Sequence, residues 1–270
     1  MTPADLTAGG ARALERLRAE APLVHHLTNL VVMSDTANVT LLVGASPVMA
    51  HAPAELYEIV AQARALVLNL GTLDDAWIAA ARQAGARARA LGVPVVLDPV
   101  GAGASELRTR TSRELIGEIR PAVVRGNAGE IGTLAGRGGA VRGVDSVAAP
   151  ADAASVVREA ARSWGAVVAL TGPRDFVSDG ARSVTVDNGH AWLGRVTGTG
   201  CMATSLVAAF RAVEPDGVVA TAAALACLGL AAERAAARAE GPGSFRVRLF
   251  DELHAMTPER LASGARYGLP

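Results

Sequence analysis

Short runs of branched apolar residues alternate with longer helical stretches along most of this chain of 270 residues. The runs predict five strands, at Leu23–His26, Ala65–Leu70, Val93–Asp98, Ala122–Arg125 and Ala166–Thr171. The stretches around them predict eight helices, at Ala11–Ala21, Asp35–Val43, Ala54–Ala63, Asp74–Leu91, Ser112–Ile119, Ala151–Trp164, Met202–Val213 and Val218–Ala239. Such an alternation is typical of a mostly parallel sheet with helices on both faces. We therefore predict an α/β fold of three layers.

The sheet is predicted to end in a hairpin, and the sequence offers no domain boundary. Asp175–Val177 and Ser183–Val186 flank the turn-forming residues Ser178-Asp179-Gly180, which predicts an antiparallel pair at one edge. Arg137–Pro150 is rich in glycine, alanine and arginine and predicts a long surface loop. Because the chain has no internal repeat and no low-complexity linker, we expect one domain over residues 1–270.

The composition excludes several classes of function. The formal net charge is zero, and no basic face interleaved with aromatic residues is present, so we expect no nucleic-acid partner. All 26 positively charged residues are arginine. The absence of lysine excludes a Walker A phosphate loop and Schiff-base chemistry. The two cysteines do not form a disulfide framework, and no Cys/His cluster has the spacing of a zinc site.

Neither the N-terminus nor the most apolar segment predicts a membrane protein. Met1–Asp5 lacks the basic region and apolar stretch of a signal peptide. Val218–Ala232 is apolar, but it is short for a bilayer and is followed by Glu233 and Arg234, so we interpret it as a buried helix. We expect a soluble, cytoplasmic protein with no membrane partner.

Polar and glycine-rich loops follow the predicted strands, where ligands bind in parallel sheets. The loops are His25–Asn29, Asn69–Thr72, Asp98–Gly103, Arg125–Glu130 and Thr171–Pro173. We expect them to line one crevice together with the segment Val196-Thr-Gly-Thr-Gly-Cys201.

The segment Val196–Cys201 predicts a helix N-terminus with nothing bulky over its amides. The first amides of a helix have no intrahelical partner, and the helix dipole adds positive potential there. The turn of Gly198, Thr199 and Gly200 is therefore a candidate site for phosphate or a developing anion. Cys201 enters the helix beside it, and a thiol at such a position tends towards a lowered pKa.

Three polar residues follow the strands at this edge, and each allows two interpretations. Asp98 precedes Pro99 and is either an Asx cap on a turn or a carboxylate near metal and phosphate. Asn127 and Glu130 share a helix face. They suit a water-rich Mg²⁺ site, which takes few protein carboxylates, or form a helix capping box.

Arg125, Thr171 and Met49 complete the candidate ligands. Arg125 ends a strand beside these residues and could clamp a phosphate. Thr171 lies in a second turn that is able to hydrogen-bond a nucleotide. Met49 is either an ordinary core residue or part of an adaptable apolar pocket.

Taken together, these residues resemble those of hydroxyethylthiazole kinases, the thiamine-salvage enzymes of the ribokinase-like superfamily. The resemblance runs from Pro22 to about Leu253. The matching segments are PLVHHLTN (22–29), GASPVMAHA (44–52), LNLGTL (68–73), LDPVGAGA (97–104), GN..EI (126–131), GVDS (143–146), LTGPRDFVSDG (170–180), VTGTGC (196–201) and GPGSF (241–245). Gly129 departs from the pattern, because family members usually carry serine there; Asn127 and Glu130 remain.

The resemblance implies ATP-dependent phosphorylation of 4-methyl-5-(2-hydroxyethyl)thiazole on its primary alcohol, on a ribokinase-like fold. It implies ATP contacts from Arg125, Thr171 and Asn127. It implies thiazole contacts from Met49, Gly198 and Asn29. Asp98 and Glu130 would manage Mg²⁺, directly or through water. The amides of the turn Gly198-Thr199-Gly200-Cys201 would stabilise the transferring phosphoryl group, and Cys201 would orient the hydroxyl or accept its proton.

The resemblance also implies a homotrimer with each active site at a subunit boundary. Related sugar kinases cover their substrate with a β-sheet lid, but His26–Leu66 contains no run of strands long enough for one. Two alternatives stay open here: a kinase for another small alcohol, and a nucleotide-binding regulator without turnover. A Rossmann oxidoreductase is excluded, because no G-x-G-x-x-G follows the first strand.

Overall fold

A computed structural model describes residues 1–137, 141–142, 145–146 and 152–270. Their helices are α1 Pro3–Glu20, α2 Met33–Val43, α3 Leu56–Gln62, α4 Asp75–Leu91, α5 Glu106–Ile119, α6 Ala128–Leu134, α7 Ala153–Trp164, α8 Thr199–Arg211, α9 Gly217–Ala236, α10 Pro242–His254 and α11 Pro258–Gly264. Their strands are β1 Leu23–Leu27, β2 Ser46–Val48, β3 Ala65–Asn69, β4 Val95–Asp98, β5 Val123–Asn127, β6 Val141–Arg142, β7 Asp145–Ser146, β8 Val167–Thr171, β9 Asp175–Ser178, β10 Ser183–Val186 and β11 Tyr267–Gly268.

Nine of these strands form one sheet in the order β11-β10-β9-β8-β5-β4-β3-β1-β2. The six strands from β8 to β2 are parallel, and β9, β10 and β11 extend the sheet antiparallel. The predicted parallel sheet and the predicted antiparallel pair, β9 and β10, are therefore confirmed, but the edge position of that pair is wrong, because β11 lies outside β10. The carboxyl ends of β1, β3, β4, β5 and β8 lie side by side, which brings their loops to a single edge.

The sheet separates two apolar cores, as a three-layer fold requires. Val67 and Val96 face the core under α1, α2, α8, α9 and α10. Leu66 and Leu97, their neighbours along the strands, face the core under α3, α4, α5, α6 and α7. Helix α9 is long and apolar enough to cross a bilayer, but most of it is buried, with α1, α8 and α10 packed against it. The interpretation of this segment as a buried helix is confirmed.

Several predicted boundaries are wrong. Helix α1 begins at Pro3 rather than Ala11, because Gly9 and Gly10 do not break it. A Cβ atom on Gly9 would lie 2.7 Å from Val219 Cγ1, so glycine there permits close packing against α9. Helix α8 begins at Thr199 rather than Met202, so Thr199 and Gly200 of the predicted turn belong to the helix and Gly198 is its N-cap.

Other elements were missed from the sequence. The short edge strand β2 was not among the predicted strands, and α5 starts at Glu106 rather than Ser112. Helices α10 and α11 were not predicted. The predicted surface loop Arg137–Pro150 lies largely outside the described residues; within it, β6 pairs antiparallel with β7.

Candidate active site

The N-terminus of α8 lies at the carboxyl edge of the sheet and is shaped by a glycine. Gly198 caps the helix with φ +83°, in the left-handed region that favours glycine. A Cβ atom at this position would lie 2.4 Å from Val32 Cγ1. The Thr199 hydroxyl donates to Leu193 O at 2.7 Å, and no side chain caps the start of α8 with a hydrogen bond. The first amides of α8 thus stay uncovered by side chains of their own segment.

Cys201 lies in the first turn of α8, and its thiol contacts the loop after β1. Asn29 Nδ2 donates to Cys201 Sγ at 3.3 Å. Burial, followed by the negative charge of Asp98, raises the pKa of the Cys201 thiol to about 12. The expected lowering of this pKa by the helix terminus is therefore wrong, because desolvation of the charged form outweighs the helix dipole. Cys201 is a neutral thiol.

Asp98 ends β4 and is almost fully buried. Its Oδ2 accepts hydrogen bonds from Asn69 Nδ2 at 2.9 Å and Thr204 Oγ1 at 2.8 Å, and lies 3.9 Å from Arg125 Nη1. Among the described residues its Oδ1 has no hydrogen-bond partner. Burial raises the pKa of Asp98, while Arg125 opposes that shift. A buried carboxylate oxygen without a partner suits a bound cation or a metal-bound water, not an Asx cap.

Glu130 stands in the first turn of α6, and it forms the predicted capping box with Asn127. Asn127 Oδ1 accepts from Glu130 N at 2.9 Å, and Glu130 Oε2 accepts from Asn127 N at 2.8 Å. Glu130 Oε1 also accepts from Gly101 N at 2.8 Å, which joins the loop after β4 to α6. Burial, followed by the charge of Asp98, raises the pKa of Glu130 to about 7. Glu130 therefore forms the cap of α6 and also lies close to Asp98.

No group of three or more metal-ligating His, Cys, Asp or Glu side chains occurs in the described parts of the chain. The site therefore supplies two carboxylates, of which Asp98 alone has an oxygen without a partner in those parts. This donor set fits a cation that keeps most of its waters.

The Arg125 side chain connects the ends of β5 and β8 to the α8 turn, the N-terminal turn of α8 formed by residues 198–201. Its Nη2 donates to Thr171 Oγ1 at the end of β8, and Thr171 Oγ1 contacts Gly126 O at 3.3 Å. A Cβ atom on Gly200 would lie 2.8 Å from Arg125 Nη1, so the guanidinium rests against the bare turn. The Arg125 side chain is 11% exposed, and its Nε is buried with no hydrogen-bond partner among the described residues. Arg125, Thr171 and Gly200 are thus brought together as predicted.

Met49 is the one predicted site residue that the described contacts do not join to this cluster. It follows the edge strand β2 and is partly exposed. In the resolved contacts its loop packs on the loop after β1: His25 Nε2 lies 2.7 Å from Ala50 O, and His51 Nε2 lies 3.3 Å from Thr28 N.

Three side chains that hold the loops and the carboxylate of the candidate site were not singled out from the sequence. Asn69 and Thr204 hold Asp98, and Arg108 fastens the loops after β3 and β4 by donating to Leu70 O, to Gly71 O at 2.7 Å and to Val100 O at 2.8 Å. Thr204 follows Gly200 by four residues and therefore shares its helix face, which was a usable signal. Asn69 pairs in register with Asp98 on the next strand, a neighbour relation that a sequence does not display.

The sequence profile described as the hydroxyethylthiazole kinase family matches residues 14–259. A hydroxyethylthiazole kinase of Roseiflexus sp. (strain RS-1) is 60% identical over 253 residues, which cover 94% of each chain. One of Desulforudis audaxviator (strain MP104C) is 58% identical and covers 98% of this chain and 97% of its own. The chain belongs to the hydroxyethylthiazole kinase family. The predicted family is confirmed, and with it the prediction that the chain is a kinase.

Solved structures confirm the fold of this family member. The hydroxyethylthiazole kinase protein from Pyrococcus horikoshii OT3 has a TM-score of 0.89 at 46% identity, covering 96% of this chain and 98% of that one. A ribokinase-like superfamily protein from Enterococcus faecalis V583 has a TM-score of 0.62 at 14% identity, covering 94% and 84%. At that identity the likeness shows the fold alone, and the predicted ribokinase-like fold is confirmed.

Proposed function

We propose that this hydroxyethylthiazole kinase family member transfers the γ-phosphoryl group of ATP to the primary hydroxyl of 4-methyl-5-(2-hydroxyethyl)thiazole. The proposal rests on one observation: the N-terminal turn of α8, which contains Cys201, lies beside Asp98 and Arg125 at one edge of the sheet. Phosphoryl transfer is mostly positioning and charge stabilisation, and this edge supplies amides, a guanidinium and a buried carboxylate.

The α8 turn would serve the transferring group and the acceptor alcohol. The amides of Gly198, Thr199, Gly200 and Cys201 stabilise charge that develops on the phosphoryl oxygens. Cys201, as a neutral thiol, orients the substrate hydroxyl and is too weak a base to remove its proton early. A loose transition state tolerates this, because the attacking oxygen loses its proton late.

The nucleotide would bind on the β5 and β8 side of the crevice. Arg125 contacts phosphate oxygens, and Thr171 and Asn127 hydrogen-bond ATP. The support is that Thr171 and Asn127 end adjacent strands in register and that Arg125 already bridges to Thr171. A guanidinium that is nearly buried loses little water when it pairs with phosphate.

Mg²⁺ would be held at Asp98 and Glu130. Asp98 Oδ1 is a buried carboxylate oxygen without a partner in the described chain, and Glu130 lies close enough for the charge of Asp98 to raise its pKa. When bound, the cation neutralises charge on the phosphates. The chain's own part is to keep both carboxylates fixed and dehydrated.

The thiazole would lie between Asn29, Gly198 and Met49, with Met49 supplied by a second subunit of a homotrimer. Support comes from the edge position of β2 and from Leu30 and Val31, which are 74% and 68% exposed beside the α8 turn. A neighbouring subunit on this face would keep water from the γ-phosphate. Light scattering should give a trimer, and a fully active monomer at assay concentration contradicts this assembly.

The reaction is tested by ADP release from Mg-ATP with the thiazole alcohol and with 4-methyl-5-ethylthiazole, which lacks the hydroxyl. We expect ADP release with the alcohol alone. Equal release with both compounds, or a preference for a sugar, contradicts the proposed function. Because small-molecule salvage draws on the cellular ATP pool, we propose a cytoplasmic location.

A further inference from the structure

We propose that Asn69 is a positioning residue that fixes the Asp98 carboxylate and the Asn29 amide at Cys201 with one side chain. The inference rests on the proposed function, since it concerns how the phosphoryl acceptor is kept in line with the carboxylate. Asn69 ends β3, is 1% exposed and touches neither proposed substrate in the roles given above.

The orientations of the Asn29 and Asn69 side-chain amides follow from the groups that donate hydrogen bonds to their oxygens. Asn29 Oδ1 accepts from Val31 N at 3.0 Å and Val32 N at 3.1 Å, so Asn29 Nδ2 must point the other way. That nitrogen donates to Asn69 Oδ1 at 2.8 Å and to Cys201 Sγ at 3.3 Å. Both hydrogens of the Asn29 amide group are therefore used, one on each partner.

Asn69 continues the chain of hydrogen bonds in one direction. Its Oδ1 accepts from Asn29 Nδ2 and from Gly71 N at 3.0 Å, so its Nδ2 faces Asp98 and donates to Oδ2 at 2.9 Å. Asp98 Oδ2 also accepts from Thr204 Oγ1 at 2.8 Å. With two donors on Oδ2, the carboxylate plane is fixed and Oδ1 is the oxygen presented to a ligand.

One planar amide thus connects the two halves of the site. Asn29 and Cys201 belong to the acceptor half, and Asp98 belongs to the phosphate half. Asn69 lies between them on strand β3, paired in register with Asp98 on β4. Because an amide plane is rigid, displacement of either half moves the other, and the distance from the acceptor hydroxyl to the phosphoryl group is kept.

Loss of Asn69 should lower kcat and leave substrate binding nearly unchanged. Asn69→Leu keeps the branched shape and the four heavy atoms of the side chain, but the donor to Asp98 and the acceptor for Asn29 are lost together. We expect kcat to fall about 10- to 100-fold, the usual effect of losing a residue that orients a reacting group. The KM values for ATP and for the thiazole alcohol should stay close to wild type, because Asn69 contacts neither ligand.

A double-mutant cycle with Asp98→Asn tests whether Asn69 acts through Asp98. If it does, Asn69→Leu costs much less in the Asp98→Asn background than in wild type. Asn188→Leu is the matched control, since Asn188 is a buried asparagine at the other edge of the sheet that donates to Gly264 O and accepts from Arg266 N. We expect Asn188→Leu to lower thermal stability and leave kcat unchanged.

Additive losses in the cycle, an effect confined to KM, or a kcat loss in Asn188→Leu equal to that in Asn69→Leu would overturn the proposal. If Asn69→Leu does not fold, Asn69→Ala takes its place under the same criteria, since it also removes the donor to Asp98 and the acceptor for Asn29 and Gly71 and introduces no new charge. A wild-type enzyme that ignores the thiazole alcohol overturns the proposed function instead, so the two failures are distinguishable.

Discussion

Replacement of Gly198 by alanine should damage both the stability and the catalytic turn of this enzyme. Gly198 has φ +83°, and an L-residue in the left-handed region costs about 1–2 kcal/mol. Its new Cβ atom would lie 2.4 Å from Cγ1 and 2.8 Å from Cβ of Val32, which is 4% exposed. Overpacking of a buried contact adds about 1–3 kcal/mol. The expected loss in unfolding free energy is therefore about 2–5 kcal/mol.

The clash should also reach the chemistry, because Val32 is tied to the reacting group. Val32 N donates to Asn29 Oδ1, and Asn29 Nδ2 donates to the Cys201 thiol. A shift of Val32 therefore moves the amide that holds Cys201, and kcat should fall along with stability. Urea denaturation followed by circular dichroism measures the first effect, and steady-state ADP release measures the second.

Gly92→Ala provides the matched control for Gly198→Ala. Gly92 has φ +70°, and nothing lies within 4 Å of its would-be Cβ among the described residues, so it carries the backbone strain without the clash. We expect Gly92→Ala to lose about 1–2 kcal/mol and to keep wild-type kcat. The reasoning is refuted if Gly198→Ala is no less stable than Gly92→Ala, or if it retains full turnover.

Four further predictions follow from the same geometry. Asp98→Asn and Glu130→Gln should each reduce kcat far more than thiazole affinity, and wild-type turnover at matched Mg²⁺ would mean that the carboxylates have only a structural role. Cys201→Ala should reduce kcat about tenfold to a thousandfold while Cys201→Asp stays active; a folded but inactive Cys201→Asp counts against the proposed role. Arg125→Lys should raise the KM for ATP, since lysine cannot bridge as a planar guanidinium does, and an unchanged KM contradicts that. The pKa of Glu130 is about 7 in the native state, whereas that of an unfolded glutamate is near 4.5. The native state therefore binds one more proton between these values, and the unfolding free energy, measured with a chelator present, should fall as pH rises through this window. A pH dependence identical to that of Glu130→Gln would contradict the shift.

The strands were predictable where burial on both faces makes them continuously apolar. β3, Ala65–Asn69, is buried at every residue, and its sequence predicts a strand without further context. β2 escaped prediction because it is three residues long and contains Pro47, which is tolerated there by its place at the sheet edge. The start of α1 escaped because Gly9 and Gly10 are read locally as helix breakers, whereas their role is close packing on α9.

The site residues could be predicted where the residue type itself has few structural uses. They could not be predicted where the role of a residue depends on its neighbours in the folded structure. The glycine turn before Cys201 and the polar strand ends at Asp98 and Arg125 mark the crevice in the sequence. The pKa of Cys201 could not be predicted from the sequence, because it depends on burial and on Asp98, which lies 103 residues away along the chain. Asn69 was equally obscure, since its function comes from register with the neighbouring strand.

Identification of the phosphorylated product tests the central claim most directly. Wild-type enzyme would be incubated with Mg-ATP and the thiazole alcohol, and mass spectrometry and ³¹P NMR would follow the thiazole and the nucleotide together. We predict a thiazole monophosphate ester on the primary hydroxyl, formed in equal amount to ADP and greatly slowed in Asp98→Asn. ADP without a phosphorylated thiazole, or product formed at the wild-type rate by Asp98→Asn, would contradict the account.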